Sequence, residues 1–231
     1  VSENRSDGEA AYVLHTRPYR DSSLLVDFLT LEHGKMSTVV RGARRPNSRY
    51  RATLQPFSPL MISWQGRQEL KTLKVAEPVD ATVLLTGKNL LCGLYLNELL
   101  SRLLSPFESF PKLYLYYQYV LNELRSGEDI EGALRTFEQQ LLRELGYWPD
   151  LTAAEIGQYY AYHVKNGLRP VAPGTRQAYS GEMLQAIEQS DFSDGLNRRA
   201  AKVFMRTALD GLLGDRPLRS RELFQNMRKK A

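Results

Sequence analysis

From Ala11 onward the chain falls into short runs rich in apolar, β-branched and aromatic residues: AYVLHTR, SSLLVDFLTLEHG, KMSTVVRGA, LQPFSPLMISWQG and ELKTLKVAE. Separated by turn formers such as RPYRDS, EHGK and QGRQ, such runs predict β-strands joined by tight turns. Pro56 and Pro59 place the start of the fourth run at an edge or a bend, because proline donates no ladder hydrogen bond. Five strands within the first 80 residues predict a small Greek-key barrel. An OB-fold fits, and an SH3-like barrel shares the strand count. The preceding VSENRSDGEA is polar and is expected to fray.

From about residue 81 the period becomes helical. LLTGKNLLCGLYLNELLSRLL carries leucines at 90, 91, 94, 99, 103 and 104, with Asn97, Glu98, Ser101 and Arg102 on one narrow polar face. So wide an apolar arc marks a central, largely buried helix. FPKLYLYYQYVLNELRSG and DIEGALRTFEQQLLRELGY follow as two more helices; the second has Leu134, Phe137, Leu141 and Leu145 on one stripe and Gly146 as its C-terminal stop. After an irregular stretch, YYAYHVKNGLRPV predicts a hairpin turning at Asn166-Gly167. SGEMLQAIEQSDF, GLNRRAAKVFMRTALDGLLG and the basic PLRSRELFQNMRKKA predict three further helices.

The resulting expectation is an α+β chain. An N-terminal five-stranded OB-fold β-barrel spans 1–80. An α-helical C-terminal domain spans 81–231 and carries a small hairpin insertion near 147–178.

Charge adds a second layer. The net charge is +5 and the sequence pI is about 9.3. Between His33 and Gln68 there is no acidic residue, against seven Lys and Arg. Plain solvated surfaces usually mix both signs. At the centre lies RGARRPNSRYR, residues 41–51. One reading is a flexible solubilising loop. The favoured reading is a phosphate-tracking loop at the mouth of the barrel, with a stacking aromatic beside it. Candidate nucleic-acid-binding residues are Lys35, Arg41, Arg44, Arg45, Arg49, Tyr50 and Arg51, with Arg67, Lys71 and Lys74 on the following strands. Arg198, Lys202 and Arg206 line one helical stripe beside Arg199, and Arg219, Arg221, Arg228, Lys229 and Lys230 follow. As a group they form a second candidate anion-binding surface. Arg135, beside an apolar stripe, suits an acidic peptide with a hydrophobic terminus.

No catalytic constellation accompanies these features. His15, His33 and His163 lack metal-ligand spacing, and neither G-x-S-x-G nor G-x-G-x-x-G occurs. TGKN at 86–89 lacks the upstream glycine and the Ser or Thr of a phosphate loop. Glu98 reads as a structural hydrogen-bonding group. The single cysteine, Cys92, reads as inert core and excludes an intramolecular disulfide. The expectation is a non-enzyme with no metal, cofactor or small-molecule substrate. With no signal peptide and no membrane-length apolar run, the chain reads as cytoplasmic.

Several longer segments resemble the family of bacterial recombination mediators called RecO. AYVLHTRPYRDSSLLVDFLTLEHGKMSTVVRGARR and LQPFSPLMISWQGRQELKTLKVAE are similar to its N-terminal domain. GLYLNELLSRLL, ALRTFEQQLLRELGY and PLRSRELF are similar to landmarks of its helical part. The resemblance implies an N-terminal OB-fold, binding of single- and double-stranded DNA, and annealing of complementary strands. It implies cooperation with RecR in loading RecA onto strands coated by the single-stranded-DNA-binding protein, SSB, and a place at the nucleoid. It implies docking of the acidic C-terminal tail of SSB, with Arg135 at a matching position. Some members carry a four-cysteine zinc site; GYWPDLTAAEIGQYYAYHVKNGLRPV has no cysteine, so no zinc is expected, and Tyr159, Tyr160 and Tyr162 are expected to hold the hairpin. A generic OB-fold protein that binds RNA or serves translation remains the alternative.

Overall fold

The computed structural model describes residues 5–80 and 83–230, with the side chains of 228–230 outside the description. The basic side chains of Arg228, Lys229 and Lys230 therefore lie outside the described residues. The chain divides into two compact units, 1–126 with 218–231, and 127–217.

The first unit is built on five strands: β1 (Arg5–Tyr19), β2 (Ser23–Thr30), β3 (Gly34–Val40), β4 (Pro59–Gln65) and β5 (Lys71–Pro78). They close into a barrel of order β1-β2-β3-β5-β4, with β3 parallel to β5 and the other pairs antiparallel. This is the OB-fold arrangement. Closure depends on the length of β1. Its first half pairs with β4, Arg5 opposite Gln65, and its second half pairs with β2, Tyr19 opposite Ser23. The expected fraying of the N-terminal residues is corrected from Arg5 onward, while 1–4 lie outside the described residues. The polar run forms a strand because its outward side chains meet solvent and its one deeply buried acid, Glu9, is fully engaged inside. The Glu9 carboxylate accepts from Trp64 Nε1 at 2.9 Å and from the backbone N–H groups of Glu32 and His33. A buried carboxylate is tolerable only when so satisfied.

Residues 41–51 are not a plain loop. A short helix, α1 (Tyr50–Thr53), closes the segment between β3 and β4. Three longer helices belong to the same unit: α2 (Gly87–Leu103), α3 (Pro111–Ser126) and the later α7 (Arg219–Lys230). α2 packs on β1 through a polar clamp. The Asn97 amide donates to the carbonyls of Val13 (3.4 Å) and Leu14 (3.0 Å) and accepts from Tyr117 Oη at 2.6 Å. The register of β1 against β2 slips between Val13 and His15 at this point, and Asn97 takes up carbonyls at the bulge. The packing units therefore do not follow the change of secondary structure near residue 80.

The second unit holds α4 (Ile130–Glu144), α5 (Gly181–Glu188), α6 (Gly195–Leu213) and a small sheet. Asp129 caps α4 by accepting from Gly132 N–H, and Asp194 caps α6 through Leu196 and Asn197 N–H. The expected hairpin is present as β6 (Tyr159–His163) and β7 (Gly167–Val171). A third strand the sequence reading missed, β8 (Tyr179–Ser180), completes the order β7-β6-β8. Phe204 of α6 is its anchor, stacked on Tyr162 with centroids 4.5 Å apart and meeting Tyr179 and Trp148 edgewise. Tyr160 is buried and accepts from Glu155 N–H, while Tyr159 stays half-buried.

Candidate nucleic-acid interface

The arginine-rich segment is held in shape by its own backbone and by one of its side chains. Gly42 adopts a φ of 69°, and Arg45 N–H donates back to the Gly42 carbonyl. Arg44 donates through Nη1 to the carbonyls of Arg20 (3.2 Å) and Asp21 (3.3 Å), tying the segment to the β1–β2 turn. Arg44 is thus an anchor, and it brings the exposed Arg20 beside the basic loop. The sequence reading treated RPYRDS as a turn alone and missed Arg20.

Tyr50 opens α1 and packs half-buried against the barrel core. Its hydroxyl donates to the Lys74 carbonyl on β5 at 3.2 Å, and the Arg49 guanidinium lies 5.3 Å from its ring centroid. Together Arg41, Tyr50, Gln65, Thr72, Leu73 and Lys74 line a shallow cavity of about 210 Å³. The strand register explains the grouping. Thr72 pairs with Gln65 of β4 on one side and with Val39 of β3 on the other, and Arg41 follows the end of β3. Gln65 and Thr72 carry no charge and left no mark in a search for basic residues.

Arg41, Arg45, Arg49, Arg51, Arg67 and Lys74 are all exposed, and among the described residues none forms an ion pair. Two expected members of the face are corrected. Lys71 is buried, 2% exposed; its Nζ donates to the Gly66 carbonyl and sits 5.0 Å from the ring centroids of both Trp64 and Phe107. Lys35 donates to the Ser101 carbonyl in the last turn of α2 at 2.9 Å. That carbonyl belongs to a helix C-terminus, which favours a cation. Burial lowers the Lys35 pKa, with the charge of Asp27 opposing. Both lysines are consumed by the fold, and neither lines the cavity beside Tyr50. Lysine identity in the sequence does not reveal which side of a closed barrel a side chain enters.

The second basic group behaves differently. On α6, Arg198 faces Asp129 at 3.5 Å, Lys202 faces Glu131 at 3.6 Å and Arg206 faces Asp210 at 3.6 Å. Each already has a carboxylate that a phosphate would have to displace. Arg199 has no such partner among the described residues. Arg219 and Arg221 belong to the other unit, where the Arg221 guanidinium lies 5.9 Å from the Tyr95 centroid and the Arg219 N–H donates to Glu98.

Arg135, on α4, is buried. Its Nη2 donates to Glu138 Oε1 at 2.7 Å, the two side chains being 8% and 3% exposed. Arg135 Nε is buried without a hydrogen-bond acceptor among the described residues. No group of three or more His, Cys, Asp and Glu is placed to hold a metal ion, and no helix is long and apolar enough to cross a membrane, among the described residues.

Two family models match in sequence order. Residues 8–82 match the model described as recombination protein O N terminal, and residues 84–222 match its C-terminal counterpart. Curated relatives match over nearly their whole length. The chain is 42% identical over 224 residues to the DNA repair protein RecO of Actinobacillus pleuropneumoniae serotype 3, covering 94% of this chain and 93% of that protein. Identity is 42% over 223 residues to the RecO of Coxiella burnetii strain CbuG_Q212, covering 93% and 96%. It is 40% over 227 residues to the RecO of Haemophilus influenzae strain PittGG, covering 95% and 96%. The chain belongs to the RecO family.

Proposed function

We propose that this member of the RecO family serves DNA repair by homologous recombination, binding DNA through the cationic face of its barrel and annealing complementary strands. Family membership supports the repair role. One observation carries the DNA contact: exposed Arg41, Arg45, Arg49, Arg51, Arg67 and Lys74 have no acidic partner among the described residues. Unpaired surface cations gain most from a polyanion, because nothing must be displaced except counterions. Six phosphate contacts on a single strand give a slope of log K against log salt of about −4. Annealing needs no bond chemistry. The face screens the repulsion between two backbones and holds them close while register is found.

On this reading the chain works with RecR to load RecA onto SSB-coated single strands, at the nucleoid. The acidic SSB tail docks on the unit that carries α4. Arg135 is the charge-assisted donor assigned to a tail carboxylate, and because its Nε is buried, docking requires the chain around it to open. Tail docking raises the local concentration of the barrel face along a coated strand. Double-stranded DNA shares the phosphate contacts, with the α6 stripe, Arg219 and Arg221 as auxiliary sites.

The test is annealing of complementary strands precoated with SSB, comparing full-length SSB with SSB lacking its tail. Acceleration with the full-length form alone is expected. Equal acceleration with both refutes tail docking and leaves a DNA annealer. No acceleration with either, nor with bare strands, refutes annealing and favours an RNA-binding OB-fold.

A further inference from the structure

The cavity beside Tyr50 has features that phosphate binding does not require. At about 210 Å³ it is smaller than the ~300 Å³ where small-molecule sites begin, so it suits one ring system and no larger cofactor. Its aromatic wall is fixed. Tyr50 is pinned by its hydroxyl to the Lys74 carbonyl and by packing against the barrel core. A rigid ring loses little entropy when another ring stacks on it. The cavity also holds polar groups without charge. The Gln65 amide and the Thr72 hydroxyl make no side-chain hydrogen bond among the described residues. An amide offers a donor and an acceptor, and a hydroxyl offers either. Such a pair meets the edge of any base without choosing strongly among them. Arg41 and Lys74 line the same cavity and supply positive charge beside it.

We infer that this cavity receives one unpaired nucleobase of a single strand, stacked on Tyr50, its edge facing Gln65 and Thr72 and its flanking phosphates held by Arg41 and Lys74. The inference rests on the DNA-binding reading above and deepens it. A base within a duplex is stacked and paired, and extruding it costs both interactions. The cavity therefore distinguishes single strands from duplex, which the surrounding arginines cannot do. It also competes with base pairing for the same base edge. When a complementary strand pairs, the base leaves and the annealed product loses this contact.

The experiment measures binding of the full chain by fluorescence anisotropy to oligothymidine and to an abasic oligonucleotide of equal length, across a salt series. Wild type is expected to favour the base-bearing strand about tenfold. Tyr50→Leu is expected to remove that preference while leaving abasic binding and the salt slope unchanged. Tyr50→Phe keeps the ring and retains most of the preference. Because Tyr50 touches the core, a 2-aminopurine probe in the strand gives a second readout on wild-type protein, with quenching on binding expected. Equal affinity of wild type for both strands with the steep salt slope intact overturns the base site and spares the cationic face. Failure to bind either strand overturns both.

Discussion

Glu98 Oε2 accepts two hydrogen bonds from Ser220, from its backbone N–H at 2.9 Å and from its hydroxyl at 2.7 Å, across 122 positions of sequence. The other oxygen accepts from Arg219 N–H, so one carboxylate of α2 satisfies the first turn of α7. Burial raises the Glu98 pKa, but the hydrogen bonds from Ser220 and Arg219 and the charge of Arg102 outweigh it, and the net shift is downward. A depressed carboxylate stabilises the fold fully above its ordinary value of about 4.3 and loses that contribution as pH falls through the lowered pKa. Protection of the amides at 219–222, taken relative to their intrinsic exchange rates, is expected to fall selectively on acidification below about pH 4. Glu98→Gln should show weakened protection already at neutral pH, with little further change in that protection as pH falls. Unchanged exchange in that variant would refute the cap.

Asn97 joins three elements at once. Burial pushes the Tyr117 hydroxyl well above its ordinary pKa, so it remains a neutral donor to Asn97 Oδ1. Asn97→Ala strands the Val13 and Leu14 carbonyls, and urea denaturation should show a loss of about 2–3 kcal/mol. Tyr117→Phe should cost less, about 1–2 kcal/mol, because it removes the bond to Asn97 Oδ1 and keeps the ring in place. The double variant should cost less than the sum, since the partners are in contact. Strict additivity would show that the two side chains do not share a bond.

The buried Arg135–Glu138 pair complicates any simple test of tail docking. Arg135→Ala removes the guanidinium that donates to Glu138 Oε1, on a carboxylate with 3% side-chain exposure. Breaking such a pair costs about 3–5 kcal/mol. Arg135→Leu combined with Glu138→Leu should recover most of that stability. Binding of an acidic tail peptide should still be lost in the double variant if the guanidinium itself is the receptor. Retained binding would move the docking site away from Arg135.

Cations on the barrel should separate into two classes. Arg45→Ala and Arg51→Ala should each reduce the magnitude of the salt slope for single strands by about 0.7 with unchanged stability. Lys71→Ala should leave the slope unchanged and lower stability by about 1–3 kcal/mol, because its stem and ammonium fill the space between Trp64 and Phe107. A reduced slope in Lys71→Ala would return that residue to the interface.

Gly34 turns β2 into β3 at a φ of 66°, and a Cβ there would stand 1.8 Å from the Glu108 carbonyl oxygen. Gly34→Ala is expected to lower the thermal midpoint at a cost of more than about 1 kcal/mol. An unchanged midpoint would mean that the backbone at Glu108 moves aside freely.

The sequence alone determined the types of the longer elements, because strand and helix periods are local properties, while the short α1 and β8 escaped it. The five barrel strands, α4 with its stop at Gly146, and the turn at Asn166-Gly167 were all legible. So was the basic segment, since an acid-free run of arginines is compositional. Tertiary structure decided what each charge does. Closure of β1 onto β4 recruited polar residues from Arg5 onward that have no strand-like composition. The barrel turned Lys71 inward and spent Lys35 on a helix end, while leaving Arg41 and Lys74 facing the same cavity. The basic stripe of α6 met two acids at the start of α4, which is invisible when only the stripe is read. Gln65 and Thr72 joined the candidate site only through cross-strand register. Period and composition are written in neighbouring residues. Burial, pairing and register depend on residues tens of positions away, and only the closed fold brings those together.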